Sequence, residues 1–224
     1  MKMVNVKYNI DIDVVENSVY ELILEHPGVF SDVVKELFDQ CDGGEGGFVL
    51  SSNNSIMKFD KCVDIIVDYY SITLNNKKIL NKLYSQLELM ADDYLEEKIN
   101  INSKVVNLLD KLTTSLGFSD VNYNIDFKWS ELFKIYNLEF IDDFADVLEK
   151  LIVYIKTISA FTEISMIILV NVRSYLSEED LKQLYEISRY CKVTLFLIEH
   201  YECAERGEEM RYIIDKDYCL IDAN

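Results

Sequence analysis

Histidine is almost missing from this chain of 224 residues. Only His26 and His200 are present, so imidazole acid–base chemistry would have to run through one of two positions. His26 precedes Pro27 in a helix-entry turn, and His200 follows a strand with Glu199 and Cys203 close by in sequence. A cysteine and a histidine three residues apart in a loop lack the oriented base that an activated nucleophile needs, and no enzyme activity is expected. The five cysteines, Cys41, Cys62, Cys191, Cys203 and Cys219, are scattered and form no CxxC pair. They read as reduced thiols rather than a zinc site or a disulfide framework. Long apolar runs are missing too. The longest, around 164–172, is too short to cross a bilayer, and the first residues lack the apolar stretch of a signal peptide, so a cytoplasmic protein is expected. Repeats and low-complexity linkers are absent.

Positive charge is scarce. The chain carries 22 lysines and arginines against 40 acids, a formal charge of −18. Nucleic-acid binding is driven by basic residues displacing counterions from phosphates, so composition by itself fits an acidic protein-interaction scaffold. Placement matters more than the total. Between positions 58 and 82 stand Lys58, Lys61, Lys77, Lys78 and Lys82 against Asp60, Asp64 and Asp68, whereas 139–149 and 199–209 are strongly acidic. That basic stretch is either a solvated helix or a phosphate-facing patch.

Half of the residues are hydrophobic, ample for a core. The last sixty are the most legible. Ser165-Met-Ile-Ile-Leu-Val-Asn-Val172 is an apolar run of buried-strand length, Ser177-Glu-Glu-Asp180 opens a helix with Leu181, Leu184 and Tyr185 inward, and Val193-Thr-Leu-Phe-Leu-Ile198 is a second buried strand. A short hairpin ends the chain. This βαβ unit predicts an α/β fold with a parallel sheet, whose carboxyl-end loops, 171–175 and 199–203, are where chemistry would sit. Upstream, 4–14 alternates like an edge hairpin, 19–24 reads as a strand, and Pro27 starts a helix with the stripe Phe30, Val33, Val34, Leu37 and Phe38. Short strands are expected at 48–51 and 56–59. From about 75 to 117 only helical periodicity remains: Ile79, Leu83, Leu87, Met90 and Tyr94 mark one helix, and Val105, Leu108, Leu109, Leu112 and Leu116, ended by Gly117, mark another. A third helix, with Ile141, Phe144, Ala145, Leu148, Leu151 and Ile155, returns to the central strand. The organisation expected is an α/β head from 1–68 and 141–224, interrupted by an α-helical leg from 69–140.

Three constellations invite a chemical reading. Gly43-Gly-Glu-Gly-Gly47 lies between a helix and a strand, the reverse of a phosphate-cradling loop, and lacks the Gly-Lys-Ser/Thr ending of a P-loop. It reads as a flexible connection. Asp64 and Asp68 at helical spacing read as a solvated face. Asp120, Asn122, Asn124 and Asp126, with Glu131 in twelfth place, repeat the ligand spacing of a calcium loop. Ile125 stands where the sharp turn wants glycine and Lys128 where a ligand usually passes water to the ion. The spacing therefore supports either calcium or a strand-like linker of alternating polar residues.

Leu169-Val-Asn, Tyr175-Leu-Ser-Glu-Glu-Asp-Leu181, Leu195-Phe-Leu-Ile-Glu199 and Tyr212-Ile-Ile-Asp-Lys-Asp-Tyr-Cys-Leu220 resemble the small adaptation protein of type II-A CRISPR systems, the Csn2 family. The likeness extends to Val29-Phe-Ser-Asp-Val-Val-Lys-Glu-Leu-Phe38 and Val147-Leu-Glu-Lys150 and runs colinearly over nearly the whole chain. It implies a head similar in layout to P-loop NTPases without a functional phosphate loop, plus an inserted helical leg. It implies a non-enzymatic ring of four subunits that binds double-stranded DNA ends in antiviral spacer acquisition, with the CRISPR integrase and the effector nuclease as partners. It also implies calcium near the junction of head and leg, in a segment richer in carboxylates than the one here, so weaker affinity is expected. Lys35, Lys58 and Lys82 match basic positions of the family; Lys61, Lys77 and Lys78 are added from local charge. Relatives carry basic residues before the central strand, where this chain has Thr162-Glu-Ile164. The rival expectations are an acidic protein–protein scaffold that does not touch DNA, and a P-loop-like NTPase.

Overall fold

The computed structural model describes residues 1–53, 55–117, 121–203 and 208–223. Two compact units emerge, one from residues 1–73 with 143–224 and the other from 74–142.

The first unit is built on a six-stranded sheet of order β10-β9-β3-β8-β7-β6. Its strands are β3 (Val19–Leu24), β6 (Val63–Ile66), β7 (Met166–Val170), β8 (Thr194–Glu199), β9 (Met210–Ile214) and β10 (Leu220–Asp222). All neighbours are parallel except the β9–β10 hairpin. Every residue of β3, β7 and β8 is buried, as parallel strands covered on both faces require. Alternation divides them between two layers. Tyr20, Leu22, Leu24, Met166, Ile168, Val170, Phe196 and Ile198 join one cluster with Val29, Val33 and Leu37 of α1 (Pro27–Cys41). A second sheet of order β2-β1-β4-β5, entirely antiparallel, closes that cluster with Met3, Ile10, Ile12 and Leu50. It comprises β1 (Lys2–Asn5), β2 (Ile10–Asp13), β4 (Val49–Ser52) and β5 (Ser55–Met57). The opposite layer holds Ile23, Ile167, Leu169, Leu195 and Leu197, with buried Leu151, Ile155 and Ile158 of α6 (Val147–Phe161) and Leu181, Leu184 and Tyr185 of α7 (Glu178–Tyr190).

Several local expectations need correction. The basic stretch from Lys58 to Lys82 is not one helix: Lys77, Lys78 and Lys82 stand on the helix Lys77–Ala91, whereas Lys58 and Lys61 lie well before it. Phe59–Cys62 forms a single turn, α2, and Val63–Ile66 is strand β6, paired with β7. The β-branched Val63, Ile65 and Ile66 fit a pleated, buried surface better than a helix. Asp64 and Asp68 therefore do not share a helix face. The Tyr154 hydroxyl donates to Asp64 Oδ2 at 2.6 Å, and Asp68 Oδ1 accepts from the backbone N–H of Tyr70. The inward stripe of α1 is Val29, Val33, Leu37 and Gln40, leaving Phe38 exposed. The third long helix begins only at Val147, because Asp146 caps it by accepting from Glu149 N and Glu149 returns to accept from Ala145 N. Ile141, Phe144 and Ala145 precede it.

The second unit contains α3 (Lys77–Ala91), α4 (Leu95–Ser115) and α5 (Trp129–Ile135). The Asn75 side chain donates to Phe140 O and accepts from Phe140 N, clasping the two ends of the unit together. Ile79 and Tyr84 are buried, and the Tyr84 hydroxyl reaches Leu138 O. No residue of α4 is buried, although Leu95, Ile99, Val105, Leu108 and Leu112 are apolar, and the apolar C-cap Leu116 is exposed as well. Gly117, at φ +72°, supplies the left-handed residue after its end.

Candidate nucleic-acid interface and a cleft at the strand ends

The six lysines divide between the units. Lys35 is exposed on α1, Lys58 is the exposed residue before the single turn α2, and Lys61 lies one turn on, paired with Asp60 at 3.3 Å. Lys77, Lys78 and Lys82 are exposed on the first two turns of α3. Lys78 and Lys82 are four apart and share a helix face. Among the described residues Lys35, Lys58, Lys77 and Lys82 form no ion pair, so their charge is available to an outside anion.

Of the proposed calcium ligands, Asp120 lies outside the described residues. Asn122 and Asn124 are exposed on an irregular stretch, 121–128, that runs along α4. Asn102 donates to Ile125 O, Tyr123 donates to Asp110, and Lys98 pairs with Asp126 at 3.3 Å. Glu131 caps its own helix, its Oε2 accepting from Lys128 N at 3.2 Å. The two carboxylates thus face different protein groups. No set of three or more His, Cys, Asp or Glu poised to hold a metal occurs among the described residues. Beside this stretch, Ser85, Glu88, Leu89, Asp92, Lys98, Lys128 and Trp129 line an open cleft of about 460 Å³. There Glu88 accepts from the Ser130 side chain and from Ser130 N, and these hydrogen bonds hold its carboxyl below the ordinary value.

The other cleft, about 480 Å³, lies at the carboxyl ends of β7 and β8 and is lined by Pro27, Phe30, Asn171, Arg173, Ser174, Glu199, His200, Tyr201 and Cys203. Both strand-end loops read from sequence meet here. Beneath it is a charge cluster whose members come from five elements. Arg173 donates Nε to Glu21 Oε1 at 2.7 Å, Nη2 to Glu209 Oε1 at 2.6 Å, and Nη1 to Glu178. Arg211 donates Nε to the other oxygen of Glu21 at 2.5 Å and reaches the Cys203 carbonyl. The Tyr185 hydroxyl donates to Glu209. Burial alone would lower the Arg173 pKa; the hydrogen bond and charge of Glu21 overturn that and raise it. Glu199 is different. Among the described residues it accepts only backbone N–H bonds, from Arg173 at 3.2 Å and from Val172. Burial, opposed by those bonds and reinforced by the charge of Glu21, pushes its pKa up to about 7.

Glu21, Arg173, Glu209 and Arg211 were not singled out from sequence. The available signal was Glu21 itself, a charge inside the otherwise uncharged Val19–Leu24 strand, because a carboxylate there must find a buried cation.

Comparison with known proteins gives the class of the molecule. Residues 40–218 match the family described as CRISPR-associated protein (Cas_Csn2), and the chain belongs to that family. It is 25% identical over 209 residues to the CRISPR-associated protein Csn2 of Streptococcus agalactiae, covering 91% of this chain and 90% of the relative. Its fold is similar to the crystal structure of Stu0660 of Streptococcus thermophilus, with a TM-score of 0.60 and 14% identity, covering 95% of this chain and 74% of that one. Among the described residues no helix is long and apolar enough to cross a membrane.

Proposed function

We propose that this chain is a non-enzymatic binder of double-stranded DNA ends that acts in CRISPR spacer acquisition, assembled as a homotetrameric ring and supported by calcium. Membership of the Csn2 family is the observation that carries this reading. The exposed lysines Lys35, Lys58, Lys77 and Lys82, which form no ion pair among the described residues, supply phosphate contacts, together with Lys61 and Lys78. The ring's working partners are the CRISPR integrase and the effector nuclease, and its place of action is the cytoplasm.

The head is read as a P-loop NTPase layout without a phosphate loop. In such folds the phosphates sit between the first parallel strand and the helix that follows it. Here that link, from β3 to α1, is only Glu25 and His26, and Pro27 occupies the first helical position. His26 Nδ1 accepts from Gly28 N, occupying one of the donors a phosphate would need. This short link supports the absence of nucleotide turnover. Calcium is assigned to the segment of Asp120, Asn122, Asn124, Asp126 and Glu131, where binding would draw Asp126 from Lys98 and Glu131 from its cap.

The test is a competition experiment with the purified full chain. Linear duplex is expected to bind, and covalently closed circles of the same sequence are expected to compete poorly, because a closed ring is threaded only from an end. Equal affinity for both forms would sink threading. Binding to neither would favour the acidic protein-interaction scaffold, and ATP hydrolysis abolished by a point substitution in this chain would favour the NTPase.

A further inference from the structure

The cluster at the strand ends carries one carboxylate too many. The buried charged side chains there are Glu21, Glu199 and Glu209 on one side and Arg173 and Arg211 on the other. Glu21 and Glu209 are taken by the two arginines, and Glu178 takes the remaining arm of Arg173. Glu199, 5% exposed and lining the cleft, has no ion-pair partner among the described residues. A buried carboxylate without a cation is costly and is relieved by a proton or by a cation from outside. We propose that this cleft receives the guanidinium of an arginine presented by a basic segment of a partner protein, which pairs with Glu199.

The walls select this chemistry. Phe30, His200 and Tyr201 form a continuous aromatic edge, with His200 centred 5.3 Å from Phe30 and 4.4 Å from Tyr201. A planar guanidinium stacks on such rings while its fork reaches a carboxylate, which a compact, strongly hydrated ammonium does less well. Asn171 and Ser174 add polar atoms at the rim. A hard divalent cation wants several oxygens at once, and Glu199 is the one carboxylate here not already held by Arg173 or Arg211. A phosphate would meet the excess negative charge. The occupant is a protein segment rather than a free small molecule because Tyr201 stands 76% exposed at the mouth, a surface that only a larger partner would cover. The net charge of −18 also steers basic partners inward. This inference does not depend on the DNA reading.

Protonation competes with the guanidinium. The groups that act on Glu199 are Glu21 from β3 and Arg173 from the loop after β7, and Tyr69 lies within its field. His200 and Cys203 line the same cleft, and Glu178 and Tyr185 from α7, Glu202 after β8, and Glu209 and Arg211 at β9 complete the surrounding charge cluster. With a carboxyl titrating near 7, the ionised fraction falls about tenfold between pH 8 and pH 6, and apparent affinity falls with it.

The probe is a capped Gly-Arg-Gly tripeptide titrated into the isotope-labelled full chain and followed by NMR. Saturable shifts are expected at Ser174, His200 and Tyr201, weakening about tenfold from pH 8 to pH 6. The lysine tripeptide should bind more weakly, and the citrulline tripeptide should give no saturable shift. Glu199→Gln should lose the binding and its pH dependence while the protein keeps its fold by circular dichroism. Tyr201→Ala should weaken binding severalfold and leave the pH dependence intact. Equal binding of the citrulline peptide, unchanged binding by Glu199→Gln, or no saturable shift at tens of millimolar peptide overturns the proposal. Tighter binding of agmatine than of the tripeptide overturns the assignment to a protein partner.

Discussion

Glu21 is the residue on which the head's interior electrostatics turn. Its two oxygens receive Arg173 and Arg211 separately, so Glu21→Ala leaves two buried guanidiniums sharing fewer acceptors. Breaking one partner of a buried pair costs about 3–5 kcal/mol, and urea unfolding is expected to show a loss of that size. Glu199 behaves in the opposite sense. Its folded-state pKa, pushed up to about 7, lies above the unfolded carboxyl value of 4.5. The folded state therefore holds the proton more tightly, and this contribution is complete below about pH 4.5 and lost as pH rises through 7. Glu199→Gln removes that loss, because the amide oxygen still accepts from Arg173 N and carries no charge. The variant should be more stable at pH 8 by up to about 3 kcal/mol and no more stable at pH 4.5. Melting temperatures across that range check it, and a pH-independent gain would mean the effect is packing rather than ionisation. The partners of neither residue were legible in the sequence: those of Glu21 lie 152 and 190 positions away, and the Arg173 N–H that Glu199 accepts from lies 26 away, in the loop of a different strand.

Among the elements, those with strong local grammar were the readable ones. The Ser177–Asp180 capping box, with Ser177 Oγ accepting from Asp180 N, starts α7 where the sequence places it. Strands β3, β7 and β8 are apolar throughout because both faces are covered. The failures are short elements whose identity is tertiary. Strand β6 has four residues and becomes a strand by pairing with β7, and α5 starts at Trp129 within a stretch read as a metal loop and runs past its end to Ile135. That stretch also sets the calcium test. Asp126 and Glu131 have structural duties, so their removal would cost stability with or without metal. Asn122 and Asn124 make no side-chain hydrogen bond among the described residues, and the double alanine variant isolates ligation. It should melt at the same temperature as the parent in chelator and at a lower temperature in calcium, since a ligand stabilises only the state that binds it. Identical melting in both conditions would leave the segment a linker.

For the whole molecule the question that the proposed function raises is how a chain of charge −18 would hold a polyanion. Long-range repulsion opposes association everywhere except where lysines outnumber acids locally, so binding must come from a few direct lysine–phosphate pairs rather than from a general field. Such pairs have a measurable signature, because each phosphate neutralised releases condensed counterions and steepens the dependence of log affinity on log salt by about 0.9. Lys58 and Lys82 are exposed and carry no ion pair among the described residues, so replacing them with alanine removes phosphate-neutralising charge without breaking the fold. The double variant should keep the parent's oligomeric mass and melting temperature, bind linear duplex more weakly at low salt, and show a slope flatter by about 0.9 for every phosphate that the assembly no longer neutralises. Lys61 offers the internal control: it already shares its charge with Asp60, so Lys61→Ala should flatten the slope less than Lys58→Ala. An unchanged slope in the double variant would move the DNA to another face of the molecule.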